Sequence, residues 1–278
     1  MVIDGWRYYN HAAIPTTPPH ETADLSPIQD KTIWQMNGKP YFARWTSDFD
    51  CGYETNWWYV IKDTQFDISN LKAKRRYEIN KGVKFFDVKE ISPMDYKEEL
   101  YHVQASALSA YPVKYRPNLN KTSFLLNVEK WSSYITLGAF LRETGELCGY
   151  ALLTYENESC VNFMVLKTKH EYENKSVNAA LVEGAMRRFE SFLATGGYIC
   201  DGSRSINHET AFQDYLEKYF EFRKAYCKLH VTYKSTMAGI VKCLFPFRKV
   251  LLCLDGVKII HQLNSVLRME EIARRQNE

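Results

Sequence analysis

The chain has 278 residues, and its pattern predicts an α/β (α+β) fold. Three observations carry that prediction. Between Val83 and Lys234, strand-like and helix-like stretches follow one another as strand, two helices, three strands, long helix, strand, helix and paired extended stretches. The three consecutive strands are joined by tight connections, with Thr144-Gly145 in the first, so they run antiparallel. Composition is that of an ordinary soluble globular protein, 45% hydrophobic and 25% charged, which excludes a disordered chain. A chain of this length buries roughly three-quarters of the surface its unfolded form exposes, so it needs no staples.

The elements follow in order. Four of the nine prolines lie in the first 27 positions, and residues 1–30 therefore read as an extended arm. TIWQM and PYFARW flank Asn37-Gly38, the pattern of a β-hairpin. NWWYVI at 56–61 reads as a further strand, and Asp67 or Ser69 caps a helix that runs to Lys81 and stops at Gly82. VKFFDV is a strand. Ser92 as N-cap and Pro93 at the first helical position start a helix to about Ala110, and a second covers about 121–132. Strands follow at 135–142, 147–155 and 159–166. A long helix begins at Asn174 or Ser176, carries Val177, Leu181, Ala185 and Phe189 on one face, and ends before Gly196-Gly197. YICD is a short strand, residues 208–219 a helix, and FRKAYC and LHVTYK two extended stretches. An apolar, basic helix pair and a charged helix at 266–275 close the chain.

The net charge of +3 conceals a pattern. Lys72 to Lys84 holds six basic residues and one Glu; from Phe222 to the end there are eleven basic and four acidic residues. The rest of the chain sums to −9. Basic windows on an acidic body suit an anionic ligand such as phosphate, nucleic acid or a lipid headgroup, and they suit equally a pair of solvated helix faces. The seven cysteines form no CxxC or Cys/His array, so neither a zinc site nor a disulfide framework is indicated. The N-terminal residues have no apolar core of a signal peptide, and no stretch reaches the ~18 apolar residues of a membrane span. The expected location is cytoplasmic or membrane-peripheral. Residues 237–260, which mix Leu, Phe and Ile with Lys and Arg, read either as a packed helix pair or as a segment lying on a membrane surface.

The order from Val83 to Lys234 resembles the GNAT acyltransferase superfamily. LGAFLRETGELCGYALLTYE is similar to its central hairpin, and NHETAFQDYLEKYFEFRKAYCKLHVTY to its closing helix and strands. Acyl-CoA-dependent members carry an Arg/Gln-x-x-Gly-x-Gly/Ala turn before the long helix, where backbone N–H groups meet the pyrophosphate. Here that place, Lys167 to Asn178, has no glycine. A second resemblance accounts for this. The FemAB-type peptidoglycan-bridge aminoacyl-transferases, tandem GNAT folds that draw on aminoacyl-tRNA, have a basic helix similar to KRRYEINKGVKFFDV; YICDG and LEKYF resemble two words of their second half.

The resemblance implies a GNAT-like mixed, mostly antiparallel central sheet flanked by helices. The implied divisions are an arm over 1–30, a partial N-terminal GNAT-like half over 31–90, the acyltransferase core over 91–234 and a helical extension over 235–278. It implies no tightly bound cofactor, with acyl-CoA or aminoacyl-tRNA as co-substrate. The acceptor it implies is an amine of a small molecule, amino sugar or lipid-linked envelope precursor. A tRNA would lie on the Lys72–Lys84 helix, and the membrane contact would be peripheral.

Acyl transfer to an amine needs a polarised carbonyl, a proton acceptor, a stabilised leaving group and a hold on the donor's phosphates. Backbone N–H groups at Met164–Leu166, with Val165 central, are the candidates for the first. Lys167, Lys175, Ser176, Val177 and Asn178 are those for the donor. The loop Asp201-Gly-Ser-Arg-Ser-Ile-Asn-His collects a carboxylate, a guanidinium, an amide and an imidazole after the central strand. Asp201 is the candidate base and Arg204 the candidate anion clamp; alternatively the two pair with each other, and Asn207 or His208 caps the next helix. Tyr215 and Tyr226 are candidates for the acid. Asn207, His208, Trp57 and Trp58 are candidates for the acceptor, although large aromatics at strand spacing also suit a core. Two classes of function stay open: an N-acyltransferase, and a non-catalytic GNAT-fold scaffold in surface-polysaccharide assembly.

Overall fold

Strands and helices are interspersed along most of the chain, and the C-terminal segment is helical. In the computed structural model, which describes residues 1–111, 116–206 and 211–276, the elements are β1 (Trp6–Tyr9), β2 (Ala12–Pro15), α1 (Ser26–Gln29), β3 (Phe42–Ser47) and β4 (Trp57–Lys62). Next come α2 (Ala73–Phe85), β5 (Phe86–Glu90), α3 (Lys97–Ser109), α4 (Lys121–Val128), β6 (Ile135–Leu141), β7 (Leu147–Tyr155) and β8 (Cys160–Thr168). Then follow α5 (Val177–Arg188), α6 (Glu190–Ala194), β9 (Tyr198–Ser203), α7 (Ala211–Phe220) and β10 (Arg223–Tyr233). The chain closes with α8 (Ser235–Leu244), α9 (Arg248–Leu252) and α10 (Lys258–Arg275).

These elements form two units. The first comprises Met1–Val60, Ser203–Ala211 and Lys224–Glu278. Its opening residues are not the extended arm expected from their prolines. β1 and β2 pair as an antiparallel hairpin, Trp6 opposite Pro15 and Tyr9 opposite Ala12. The two-residue turn is Asn10-His11, both with positive φ, the mirror-image turn that matches strand twist. Trp6, Ala13 and Ala23 are buried with Ile33, Met36 and Ala43. The expected hairpin around Asn37-Gly38 does not form: Thr32–Gln35 is a 3₁₀ turn, and β3 runs parallel to β2 and antiparallel to β10. β10 is a single strand of eleven residues where two extended stretches were read.

The second unit comprises Ile61–Gly202 and Phe212–Arg223. Strands β5, β6, β7 and β8 are successive antiparallel neighbours, and β9 joins β8 in parallel. The sheet is thus mixed, mostly antiparallel and flanked by helices, as expected. One core combines Leu100 and Val103 of α3, Val128 of α4, Trp131 of the 3₁₀ turn that follows it, and Tyr150 and Leu152 of β7. α5 is buried nearly all round, as a helix between layers must be. α2 does not stop at Gly82 but continues to Phe85. That glycine serves an approach between helices: a Cβ there would lie 2.5 Å from the Ser176 carbonyl oxygen.

Candidate functional site

In the second unit β8 and β9 are paired over three residues only, Cys160 with Tyr198, Val161 with Ile199 and Asn162 with Cys200. β8 continues to Thr168 along β7, where Gly149 faces Thr168. The β7–β8 register shifts at Leu152/Leu153, which face Val165 and Phe163, so Met164 is the bulged residue. Beyond Asn162 the β8–β9 ladder ends while β8 continues along β7, and Met164 there is 41% exposed. Asp201 is the first residue of β9 after the last pair.

Burial pushes the Asp201 carboxyl up to about 7, and a hydrogen bond from the Gln213 side chain partly opposes that rise. Gln213, 6% exposed on α7, lies within 3.5 Å of the Gly202 carbonyl as well. Gly202 has φ +98°, a conformation that permits the chain to turn directly after the carboxylate. A carboxyl that exchanges its proton near neutrality is suited to general base catalysis. Tyr215, two residues beyond Gln213, stacks on Tyr219 at 4.8 Å and packs on Phe220 at 5.8 Å. Burial, with Glu78 and Tyr219 adding to it, raises its phenol well above the usual range. It stays protonated and can serve as a hydrogen-bond donor.

The turn before α5 is filled by the chain itself. Residues 170–175 form a 3₁₀ turn, and Ser176 is left-handed at φ 62° and buried. Val177 is fully buried, and the Asn178 amide oxygen accepts from the Thr168 hydroxyl at 2.9 Å. The Lys175 ammonium sits over the rings of Phe85 and Tyr172, at 5.3 and 5.5 Å. Lys169 pairs with Glu146, which also accepts from the Tyr172 hydroxyl. Lys167 and Val165 face Tyr150 and Leu152 across the β7–β8 ladder.

The remaining candidates belong to the first unit. The Arg204 guanidinium donates to the Asn56 carbonyl at 2.6 Å and lies 4.4 Å over the Trp58 ring. The Arg204 side chain is thus engaged by Trp58 and Asn56. Burial and Arg268 lower its pKa, and its Nε is buried without a partner among the described residues. Lys224 approaches the same ring at 4.7 Å, and Tyr226 meets it edge-on at 6.0 Å. Trp57, 1% exposed, packs with Phe42, Cys227 and Leu229, so it fills the core and is not a stacking platform. Asn207 and His208 lie outside the described residues.

Two residues were not singled out from the sequence. Gln213 holds Asp201 from α7, and no sequence signal marks it among Phe212, Asp214 and Tyr215. Lys62 at the end of β4 is fully buried, with Nζ 2.9 Å from the Thr64 hydroxyl and 3.5 Å from a Glu221 carboxylate oxygen. Burial lowers its pKa. A lysine ending an apolar strand gives no sign of this.

No family model matches the chain, and no curated protein matches it. Solved structures do. L-PGS from Bacillus licheniformis superposes with TM-score 0.52 at 11% identity, over 86% of this chain and 83% of that one. A conserved protein of unknown function from Bacteroides thetaiotaomicron gives 0.51 at 11% identity, over 83% of each. The C-terminal domain of an Agrobacterium fabrum protein described as a lysylphosphatidylglycerol synthetase gives 0.49 at 11% identity, over 86% and 82%. At such identity the likeness is one of fold: the chain shares its mixed α/β architecture with the first two of these proteins along most of its length.

Proposed function

We propose that the chain is an acyltransferase that moves an aminoacyl group from aminoacyl-tRNA to an amine of an amino sugar or cell-envelope precursor. The observation that carries this reading is the parting of β8 from β9 with Asp201 immediately beyond the last pair. Backbone N–H groups of Met164–Leu166, beyond the end of the β8–β9 pairing, would hold the donor carbonyl oxygen as it becomes an oxyanion. Asp201 would take the proton from the attacking amine as the new C–N bond forms. The ester C–O bond to the tRNA ribose then breaks, and that oxygen leaves as a hydroxyl with the proton Asp201 took from the amine, which restores the carboxylate. Gln213 orients the carboxylate, and Tyr215 lies two residues farther along α7.

A tRNA donor is supported by two features. The turn before α5, where acyl-CoA enzymes bind pyrophosphate, is packed with its own Ser176, Val177 and Asn178. On α2 and its N-cap, Lys72, Lys74 and Lys84 are exposed together with Tyr77, which suits a sugar-phosphate backbone. The likeness to L-PGS supports a role at the cell envelope.

The donor is tested by binding. Affinity for lysyl-tRNA should fall steeply with salt, because phosphates are neutralised together. Lys72→Glu with Lys74→Glu should weaken it about tenfold or more. Tight binding of acetyl-CoA with none of lysyl-tRNA at low salt would overturn the donor proposed here.

A further inference from the structure

The C-terminal helices of the first unit have a second apolar face. Met237, Val241 and Leu244 of α8, together with Leu251 of α9, pack against the cluster that contains Val266, Leu267 and Met269. The opposite face of such helices is ordinarily polar. Here it is not. Ile240, Phe247, Val250, Leu252, Leu254, Val257 and Ile259 are all exposed, from 43% at Leu252 to 75% at Ile259. Elsewhere among the described residues the exposed large hydrophobics are mostly Tyr and Met, with Val2 and Leu126 the aliphatic ones. Concentration of apolar surface in one twenty-residue stretch marks an interaction surface.

Charge tells what covers it. Between Ser235 and Ile259 the one acidic residue is Asp255, whose carboxylate is engaged by His261 and Asn264, against the basic Lys242, Arg248, Lys249 and Lys258. Arg248 is engaged by Glu271 and the Phe245 ring, but Lys242 and Lys249 are exposed beside the apolar side chains. A second copy of the chain is a poor occupant, because a two-fold contact would bring those lysines toward their own counterparts. An anionic lipid surface satisfies both the apolar side chains and the ammonium groups. α8 has ten residues and spans about 15 Å, half of a bilayer's hydrocarbon core, so it lies in the interface and does not cross it.

We infer that α8, α9 and the connection to α10 form a docking surface for an anionic membrane, with Ile240, Phe247 and Val250 entering the acyl region and Lys242 and Lys249 among the headgroups. This goes beyond the acyl-transfer reading and does not depend on it. The test is co-sedimentation of the full chain with vesicles of phosphatidylcholine alone, or with about one-third phosphatidylglycerol. The wild type should sediment with the anionic vesicles and much less with the neutral ones. Phe247→Glu with Val250→Glu should lower partitioning about tenfold or more. Both side chains are exposed, so the variant's thermal midpoint should match the wild type. Lys242→Glu with Lys249→Glu should abolish the preference for anionic vesicles. Equal sedimentation of wild type and variants, or none of the wild type with either vesicle, would overturn the inference. So would a wild-type dimer in lipid-free solution that Val250→Glu dissociates.

Discussion

Gln213 donates its side-chain amide to the Asp201 carboxylate from a buried position on α7. The two sit on elements that the chain brings together across about ten residues of sequence, and their contact orients the candidate base and partly offsets the rise that burial imposes on its pKa. Transfer should therefore rise with pH on an acidic limb with a midpoint near 7, as Asp201 loses its proton. Gln213→Leu removes the hydrogen bond that favours the charged form, so the limb should move to higher pH. A limb that stays in place in the variant would show that Asp201 is not the titrating group.

Asp201 also makes a prediction about stability. Its carboxyl titrates at about 7 in the folded chain and at its ordinary 3.8 when unfolded. Between those values the folded state holds the proton more tightly, so this group's contribution is full below 3.8 and is lost as pH rises through 7. Asp201→Asn keeps a neutral side chain at every pH. The variant's stability relative to the wild type should therefore increase from about pH 4 to about pH 8, by a few kcal/mol at most, since each pH unit between the two titration points is worth about 1.4 kcal/mol. Denaturant melts at the two pH values read this directly.

Gly82 tests the packing of α2 on the start of α5. A Cβ at this position would sit 2.5 Å from the Ser176 carbonyl oxygen and 2.9 Å from the Ala180 nitrogen, both backbone atoms that cannot rotate away. Gly82→Ala gains about 1 kcal/mol of helix propensity but forces the helices apart, at a cost of about 1–3 kcal/mol. The net effect should be a lower thermal midpoint. An unchanged or raised midpoint would mean that the two helices are not in this contact.

Lys62 is a buried ammonium beside a half-buried carboxylate. Desolvation opposes its charge, so an apolar side chain of similar volume should do as well. Lys62→Met should change stability by less than about 1 kcal/mol or increase it, whereas Lys62→Ala, which leaves a void, should cost about 2–4 kcal/mol. Chemical denaturation of the two variants separates packing from charge. Equal losses in both would assign the stability to the ion pair with Glu221.

Much of the second unit was legible because its signals are local. Leu147–Tyr155 was bounded correctly by the Thr144-Gly145 turn, where Gly145 has φ +75°. Ser92-Pro93 marks the start of a helical segment, although its first turn is 3₁₀ and α3 begins at Lys97. The failures share one cause: tertiary partners overrode local chemistry. Asn37-Gly38 has the residues of a hairpin turn, yet β3 finds its neighbours in β2 and β10. Asn10-His11 makes the mirror-image turn without a glycine. Gly82, a plausible stop, is retained inside α2 because only a hydrogen fits against Ser176. At the site, Asp201 could be singled out by its place after the central strand. Gln213 could not, because its role depends on how α7 packs, and neither could the ring of Trp58 under the Arg204 guanidinium, which is distant in sequence.

Everything proposed for the site turns on Asp201 accepting the amine proton during aminoacyl transfer. The decisive measurement is single-turnover transfer of labelled lysine from lysyl-tRNA to a panel of amino sugars, comparing wild type with Asp201→Asn at about pH 8, where the carboxyl is ionised. The wild type should transfer label, and the variant, folded and still binding lysyl-tRNA, should transfer it at least about a hundredfold more slowly. Transfer at the wild-type rate by the variant, or no transfer by a wild type that binds lysyl-tRNA, would contradict it.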